Sequence, residues 1–454
     1  MADGARLDRA RVAGLLAAER ERFVDQHPKA MAFRRRAEDS MLSGVPMNWM
    51  TRWASPAPIV VVSAKGAEIE DLDGHRYVDL CLGDTGAMAG HAPQAVTDAV
   101  AGRMSRGATF MLPTEDAIWV GEEMSRRFGL PRWQFCLTAT DANRFVLRLA
   151  RQITGRPLIV VHNWCYHGSV DETIASLDPS GRVVPREGSV GPAFDVSETT
   201  RVVEINDLEA LRRSLADGLV ACVLVEPALT NIGIVLPDPG YHEELRRLTR
   251  DTGTLLVIDE THTICAGPGG YTARYGLEPD FLTIGKTIGA GVPVAAYGMS
   301  EGTASRVVES TCWKDADVGG VGGTLAGNAL SLAATRATLE HVLTETAFQS
   351  MESLSLRLTE GVEEVITRRR APWHVTRLGC RAEYLFSTDR PRTGGEAAAA
   401  GDAELDELVH LAMLNRGVLL TPFHNMALMS PATTAEQVDA HTHAFDEIAG
   451  ALLA

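Results

Sequence analysis

The stretch Phe281–Pro293 reads FLTIGKTIGAGVP: a short apolar run, a glycine, one lysine and a glycine-rich turn. FLTI has the length and character of a buried strand, so Gly285-Lys286 stands at its carboxyl end. Lysine is scarce, occurring only at 29, 65, 286 and 314 beside abundant arginine. Coding bias explains scarcity equally well; the setting is what singles out Lys286.

Working outward, similar runs recur: QFCL (134–137), PLIVV (157–161), ACVLVE (221–226), TLLVID (254–259) and PVAAYGM (293–299). Helical stretches such as ANRFVLRLARQI and YHEELRRLTRDTG lie between several of them. Continuous apolar strands alternating with helices predict an α/β fold with a mainly parallel sheet covered on both faces. Before this region, PIVVVSAKGAEIEDLDGHRYVDLCLG predicts a small meander, and the first 45 residues read as helix. After it, ALSLAATRATLEHVL predicts helix, RAEYLFST and GVLLTP strands, and DRPRTGGEAAAAGDAE a surface loop. The expected segments are 1–85, an N-terminal helix and meander; 86–330, a large domain; and 331–454, a smaller C-terminal domain.

Composition bounds the function. The chain has 454 residues and a formal net charge of -16, which argues against a nucleic-acid or anionic-membrane binder. No apolar run approaches a membrane span. The opening MADGARLDRARVAGLLAAERERF is charged throughout, unlike a signal peptide. Seven cysteines at 81, 136, 165, 222, 265, 312 and 380, with no CxxC pair, read as reduced thiols. The expectation is a cytoplasmic protein.

Ligands gather at the carboxyl ends of strands in such sheets. There the chain places Thr138-Ala139-Thr140 opening a helix, then HNWCYHG (162–168), Glu226, Asp259-Glu260 and Lys286. A P-loop is excluded, because Asp280 stands five residues before Gly285 where glycine is required. GPGGYT (267–272) ends in Thr and fails the dinucleotide fingerprint. His162, Cys165 and His167 have ligand chemistry but lack a further ligand group, so no metal site is assigned. Phosphate-binding amides and hydroxyls, an aromatic face, a carboxylate and a lysine together suit pyridoxal 5'-phosphate. Its aldehyde forms a Schiff base with an amine, and its ring nitrogen needs an acidic partner.

FCLTATDAN (135–143), CYHG (165–168), VLVEP (223–227), LLVIDETHT (255–263), FLTIGKTIGAGVPVAAYG (281–298) and GGTLAGN (322–328) resemble the class III aminotransferases. These are pyridoxal-phosphate enzymes of fold type I. The resemblance covers nearly the whole chain, and NRGVLLTPFHNMALMSPA (415–432) is similar in texture to the glutamate-1-semialdehyde aminomutase and β-amino-acid transaminase branch. It implies a large domain with a mainly parallel mixed sheet between helices, and a smaller α+β domain built from the N- and C-terminal segments.

Carried over by position, the resemblance implies that Lys286 forms the Schiff base and shuttles the proton. Asp259 would meet the pyridinium, Tyr166 would stack on the ring, His167 would brace Asp259, and Glu226 would lie near the phenolic oxygen. Thr138, Ala139 and Thr140 would form the phosphate cup. Thr324 would reach the phosphate of a neighbouring subunit, implying a homodimer with sites at the interface. Three departures stand out: Thr-Ala-Thr-Asp-Ala (138–142) replaces Ser-Gly-Thr-Glu-Ala, Thr261 replaces an apolar residue beneath the ring, and residues 263–270 lack the Thr-Gly-Phe-Gly-Arg ending.

For substrate, Arg52 and Arg416 are the candidate carboxylate clamps, since the guanidinium fork binds both oxygens. Trp49 and Trp164, with Met47 and Trp53, are candidates for an apolar wall. The leading expectation is a ping-pong aminotransferase acting on a small amino donor and a keto acid. The alternatives are an aminomutase or racemase with the same cofactor, and a catalytically silent binding protein of the same fold.

Overall fold

The computed structural model describes residues 8–191, 194–311, 313, 319–422 and 424–453. Two compact units emerge. One contains residues 94–345 and 391–399; the other contains 1–93, 346–390 and 400–454.

The first of these is built on seven strands: β1 (Arg132–Cys136), β2 (Leu158–His162), β3 (Thr200–Val203), β4 (Val220–Val225), β5 (Leu255–Asp259), β6 (Phe281–Ile284) and β7 (Ala295–Met299). Their order is β1-β7-β6-β5-β4-β2-β3. The β6–β7 and β7–β1 pairings are antiparallel and the other four parallel, so β7 alone runs against its neighbours. Every residue of β4, β5, β6 and β7 is buried. That explains their unbroken apolar runs, each large side chain contributing roughly 1.5–3 kcal/mol on burial.

Helix Ala139–Thr154 shows how the sequence places helices against this sheet. Its buried positions include Ala142, Val146, Leu149 and Ala150, spaced three and four apart on one face. Thr138 caps its start and Gly155, at φ 68, ends it. Helix Tyr241–Thr252 ends the same way at Gly253, φ 65.

The second unit joins the two ends of the chain. Strands Val61–Lys65, Glu68–Asp71 and Arg76–Asp79 form the expected meander, and Val418–Leu419 adds in parallel to Arg76–Asp79. A separate sheet contains His374–Leu378, Arg381–Leu385 and Met426–Leu428. The N-terminal region forms helices Arg9–Gln26 and Pro28–Ala37, divided at His27-Pro28.

One expectation is corrected. Within the stretch read as a surface loop, Gly394–Ala399 is helical. The Glu204 carboxylate accepts from the Gly394 and Gly395 amides, satisfying the helix start, and the alanines favour continuation. Among the described residues the cysteines at 81, 136, 165, 222, 265 and 380 are buried and form no disulfide. Cys312 lies outside the described residues. No described helix is long and apolar enough to cross a membrane.

Candidate active site

Asp259 is the last residue of β5, and Lys286 lies two residues beyond the end of the adjacent parallel strand β6. Gly285 permits the close approach that follows. A Cβ there would stand 3.1 Å from both the amide nitrogen and Cβ of Ala139, so the strand end packs directly on the first turn of helix Ala139–Thr154. Lys286 adopts φ 53, a left-handed conformation that side chains rarely take and that marks functional positions.

Asp259 is buried within a full set of donors. Its Oδ2 accepts from Asn143 Nδ2 at 2.8 Å and from His167 Nδ1 at 2.9 Å. Its Oδ1 accepts from the amide of Thr261 at 3.0 Å and from the Thr261 hydroxyl at 2.6 Å. Burial opposes the negative charge, yet His167, Thr261 and Asn143 outweigh it and hold the carboxyl below its ordinary range. Burial likewise opposes a charged His167, but Cys165 and the Asp259 carboxylate hold the imidazole well above its usual value. The result is an ionised pair sealed from water.

A second chain of polar groups reaches Lys286 from β4. Glu226, just after that strand, accepts from the Thr230 hydroxyl at 2.5 Å and from the Tyr166 amide at 3.2 Å. Thr230 Oγ1 lies 2.9 Å from His262 Nδ1, and His262 Nε2 lies 2.5 Å from Lys286 Nζ. Glu226, Thr230 and His262 are all buried.

At the helix start, the Thr138 hydroxyl donates to Asp141 Oδ2 at 2.9 Å and accepts from the Asp141 amide at 3.1 Å. This capping box engages the hydroxyl that the sequence suggested for phosphate. Thr140 Oγ1 accepts from the Ser169 amide at 3.1 Å, which leaves its own proton for another acceptor. Gly168 makes that contact possible, because a Cβ there would meet Thr140 Oγ1 at 2.2 Å.

Trp164 lies in the loop after β2, with the Arg186 guanidinium 4.9 Å from its ring centre. Thr324 lines a surface cavity with Phe110, Met111 and Leu112. Trp49 and Arg52 belong to the short helix Asn48–Arg52 of the other unit. Arg416, also in that unit, bonds Glu19 at 2.8 Å and Glu447 at 3.0 Å, bracing the N- and C-terminal helices.

Three site residues escape a reading of strand ends: Asn143, Thr230 and His262. Asn143 also accepts from the Thr283 hydroxyl at 2.7 Å, tying helix to sheet. Its signal was a polar residue on the buried face of an amphipathic helix; that of His262 was its place three residues past Asp259.

A buried anionic carboxylate, an amine on the neighbouring strand and a helix N-terminus suit a cationic ring, an aldehyde and a phosphate respectively. The comparisons agree with that donor set. Residues 49–451 match the aminotransferase class-III model. The glutamate-1-semialdehyde 2,1-aminomutase of Desulfitobacterium hafniense is 33% identical over 387 residues, 84% of this chain and 88% of that one. A glutamate-1-semialdehyde-aminomutase from Pseudomonas aeruginosa PAO1 superposes with TM-score 0.97 at 51% identity, covering 98% of this chain and 100% of that one. Its K286A variant, solved in complex with PMP, matches at 50% identity and TM-score 0.97 over the same shares. An omega-transaminase from Sphaerobacter thermophilus matches at 28% identity and TM-score 0.83, over 93% of this chain and 97% of that one. The chain belongs to the class-III aminotransferase family, with fold type I architecture and pyridoxal 5'-phosphate as its cofactor.

Proposed function

We propose that the chain is an aminomutase, shifting an amino group between neighbouring carbons of a small amino carbonyl compound. The observation that carries this choice is the likeness to the P. aeruginosa aminomutase, which spans almost the full length of both chains. The sequence by itself leads with an aminotransferase and keeps the aminomutase as an alternative; the relatives shift the weight to the latter. An aminotransferase is the second reading, favoured by the likeness to the S. thermophilus omega-transaminase.

Pyridoxal phosphate, when bound, supplies an electron sink for negative charge on the carbon bearing the transferred nitrogen. In this reading Lys286 would attach the cofactor and move the proton between carbons. Asp259 would keep the ring nitrogen protonated, with His167 and Thr261 fixing that carboxylate. Tyr166 would supply a stacking face for the ring, and Glu226 would serve its phenolic oxygen. Thr140 and the first helix amides, from Ala139 onward, would hold the phosphate beside Thr138. The net dipole of the helix favours the anion there.

For substrate, Arg52 and Arg416 are the proposed carboxylate clamps, Arg416 also bonding Glu19 and Glu447. Trp49 and Trp164 are the proposed apolar wall. The enzyme is read as a cytoplasmic homodimer in which Thr324 serves the neighbouring subunit.

The deciding experiment gives the purified enzyme glutamate-1-semialdehyde, the compound for which the relatives are named, without any amino acceptor. Sustained formation of the isomeric amino ketone is expected. A stall after one half-reaction, relieved by a keto acid, would replace the aminomutase with the aminotransferase. No consumption under either condition would overturn both and favour a silent fold.

A further inference from the structure

The chain Glu226–Thr230–His262–Lys286 has a direction fixed by donor and acceptor capacity. The Thr230 hydroxyl gives its one proton to the Glu226 carboxylate at 2.5 Å. Its oxygen, 2.9 Å from His262 Nδ1, therefore accepts, so the proton of the neutral imidazole sits on Nδ1. Nε2 is then a bare lone pair facing Lys286 Nζ at 2.5 Å. A second donor, the Tyr166 amide, reaches the other oxygen of Glu226 at 3.2 Å and keeps that carboxylate an acceptor.

We propose that His262 is the positioning residue that takes and returns the exchangeable proton of the Lys286 amine. The inference rests on reading Lys286 as the cofactor-attaching lysine. An ammonium is neither nucleophile nor base, and free lysine stays protonated to about pH 10.4, whereas imidazole titrates near 6.5. A proton passing from Nζ to Nε2 leaves a neutral amine and an imidazolium. The imidazolium keeps its Nδ1–H on Thr230, whose own proton stays on Glu226. The positive charge is thus set against a buried carboxylate one hydroxyl away, and no other bond in the chain has to rearrange.

The surrounding ionisable groups leave this role to His262. Asp259 and Glu260 project from the end of β5, but Asp259 is held by Asn143, His167 and Thr261. Glu260 accepts from Thr263, from the Tyr271 amide and from Thr272. His167 is paired with Asp259. Glu226, from β4, reaches the ring through Thr230. Lys286, from β6, is the charged partner on the Nε2 side.

The test uses the full chain stripped of cofactor, mixed with pyridoxal phosphate from about pH 5.5 to 9 and quenched with borohydride. Pyridoxyl fixed on the Lys286 peptide is counted by mass. The wild type is compared with His262→Gln, His262→Phe and Thr230→Val, each checked for fold by circular dichroism and melting. Near pH 7 both His262 variants should fix pyridoxyl at least about 100-fold more slowly, the low side of a general acid–base contribution. The acid limb of their rate profile should lie at higher pH than that of the wild type. Thr230→Val, which removes the acceptor that sets the tautomer, should fall between. A folded His262→Gln variant with the wild-type rate and limb would overturn the inference alone, because glutamine keeps hydrogen bonding but cannot take the proton. If His262→Gln does not fold, a wild-type profile in Thr230→Val would do the same. Wild-type protein that fixes no pyridoxyl on Lys286 would overturn the lysine assignment and this inference with it.

Discussion

His167 Nδ1, in the loop that follows β2, stands 2.9 Å from Asp259 Oδ2 at the end of β5, with both side chains buried. A buried ion pair is costly unless its remaining lone pairs are satisfied. Here Asn143 and Thr261 complete the carboxylate and favour its charged form, which suits its proposed role beside a protonated ring nitrogen. The pair holds an electrostatic condition in place before any ligand arrives.

The pH dependence of stability follows from the two shifts. His167 is raised in the folded chain, so its contribution is complete below about pH 6.5 and is lost as pH rises through the folded value. Asp259 is lowered, so its contribution is present above about pH 3.9 and is lost as pH falls through its depressed value. Above about pH 6.5 His167 alone should cost up to about 1.4 kcal/mol of stability per pH unit. Urea unfolding of the cofactor-stripped chain between about pH 6 and 9 should therefore show a steeper decline in wild type than in His167→Gln. Equal slopes would refute the charged pair. His162 and His441, both pushed down to about 3, act on the acid side and are common to both proteins.

Asn143 is the joint between the helix and this pair. Its amide donates to Asp259 and to the His167 carbonyl, and accepts from Thr283. Asn143→Ala would leave buried groups under-satisfied, costing about 1–3 kcal/mol for each orphan. Asn143→Asp would place a second carboxylate beside Asp259 and force one of the two to take a proton. Cofactor retained after dialysis should fall further in Asn143→Asp than in Asn143→Ala, with melting temperature lowered in both. The reverse order of retention would contradict the electrostatic role.

The strand ends were legible because buried parallel strands read as apolar runs that stop at the residues carrying chemistry. Asp259 closes β5, Glu226 directly follows β4 and Lys286 lies two residues past β6. What failed to show was anything needing the third dimension: Asn143 and Asp259 lie 116 residues apart yet share a hydrogen bond. Strand β3, with Thr200 and Arg201 in only four residues, has too little apolar pattern to announce itself. The family resemblance assigns the Thr138 hydroxyl to the phosphate cup, whereas Asp141 three residues on is a capping-box signal that the structure follows.

Gly168 tests whether the loop after β2 must lie against the helix start. It has φ 83, and an added Cβ would stand 2.2 Å from Thr140 Oγ1 and 3.0 Å from Thr140 Cα. Gly155, at the other end of that helix, has φ 68 but nothing within 4 Å. Gly155→Ala should bear only the left-handed strain, about 1–2 kcal/mol. Gly168→Ala bears similar strain and the clash, so it should lose more stability and weaken pyridoxal phosphate binding, measured by fluorescence titration, by about 10-fold or more, roughly 1.4 kcal/mol. Equal affinity in the two variants would show that the Thr140 contact does not shape the phosphate site.

The proposed dimer makes its own prediction at the cavity that Thr324 lines. Met111 and Leu112, which share that lining, are 79% and 71% exposed, and Phe110 beside them is also exposed. Neighbouring large apolar side chains left in water mark a surface that another molecule covers. The turn carrying Thr324 belongs to the same face, so a second copy seated there would also meet the residue that the family resemblance assigns to its partner's phosphate. Met111→Glu with Leu112→Glu should move the mass measured by light scattering towards one chain, because burying two carboxylates in an apolar contact is costly. Cofactor affinity should fall in step with dissociation, whereas Thr324→Ala should weaken the cofactor while leaving the mass unchanged. A double variant that stays dimeric with full cofactor would place the interface elsewhere; a monomeric one that still holds cofactor normally would separate assembly from the phosphate site.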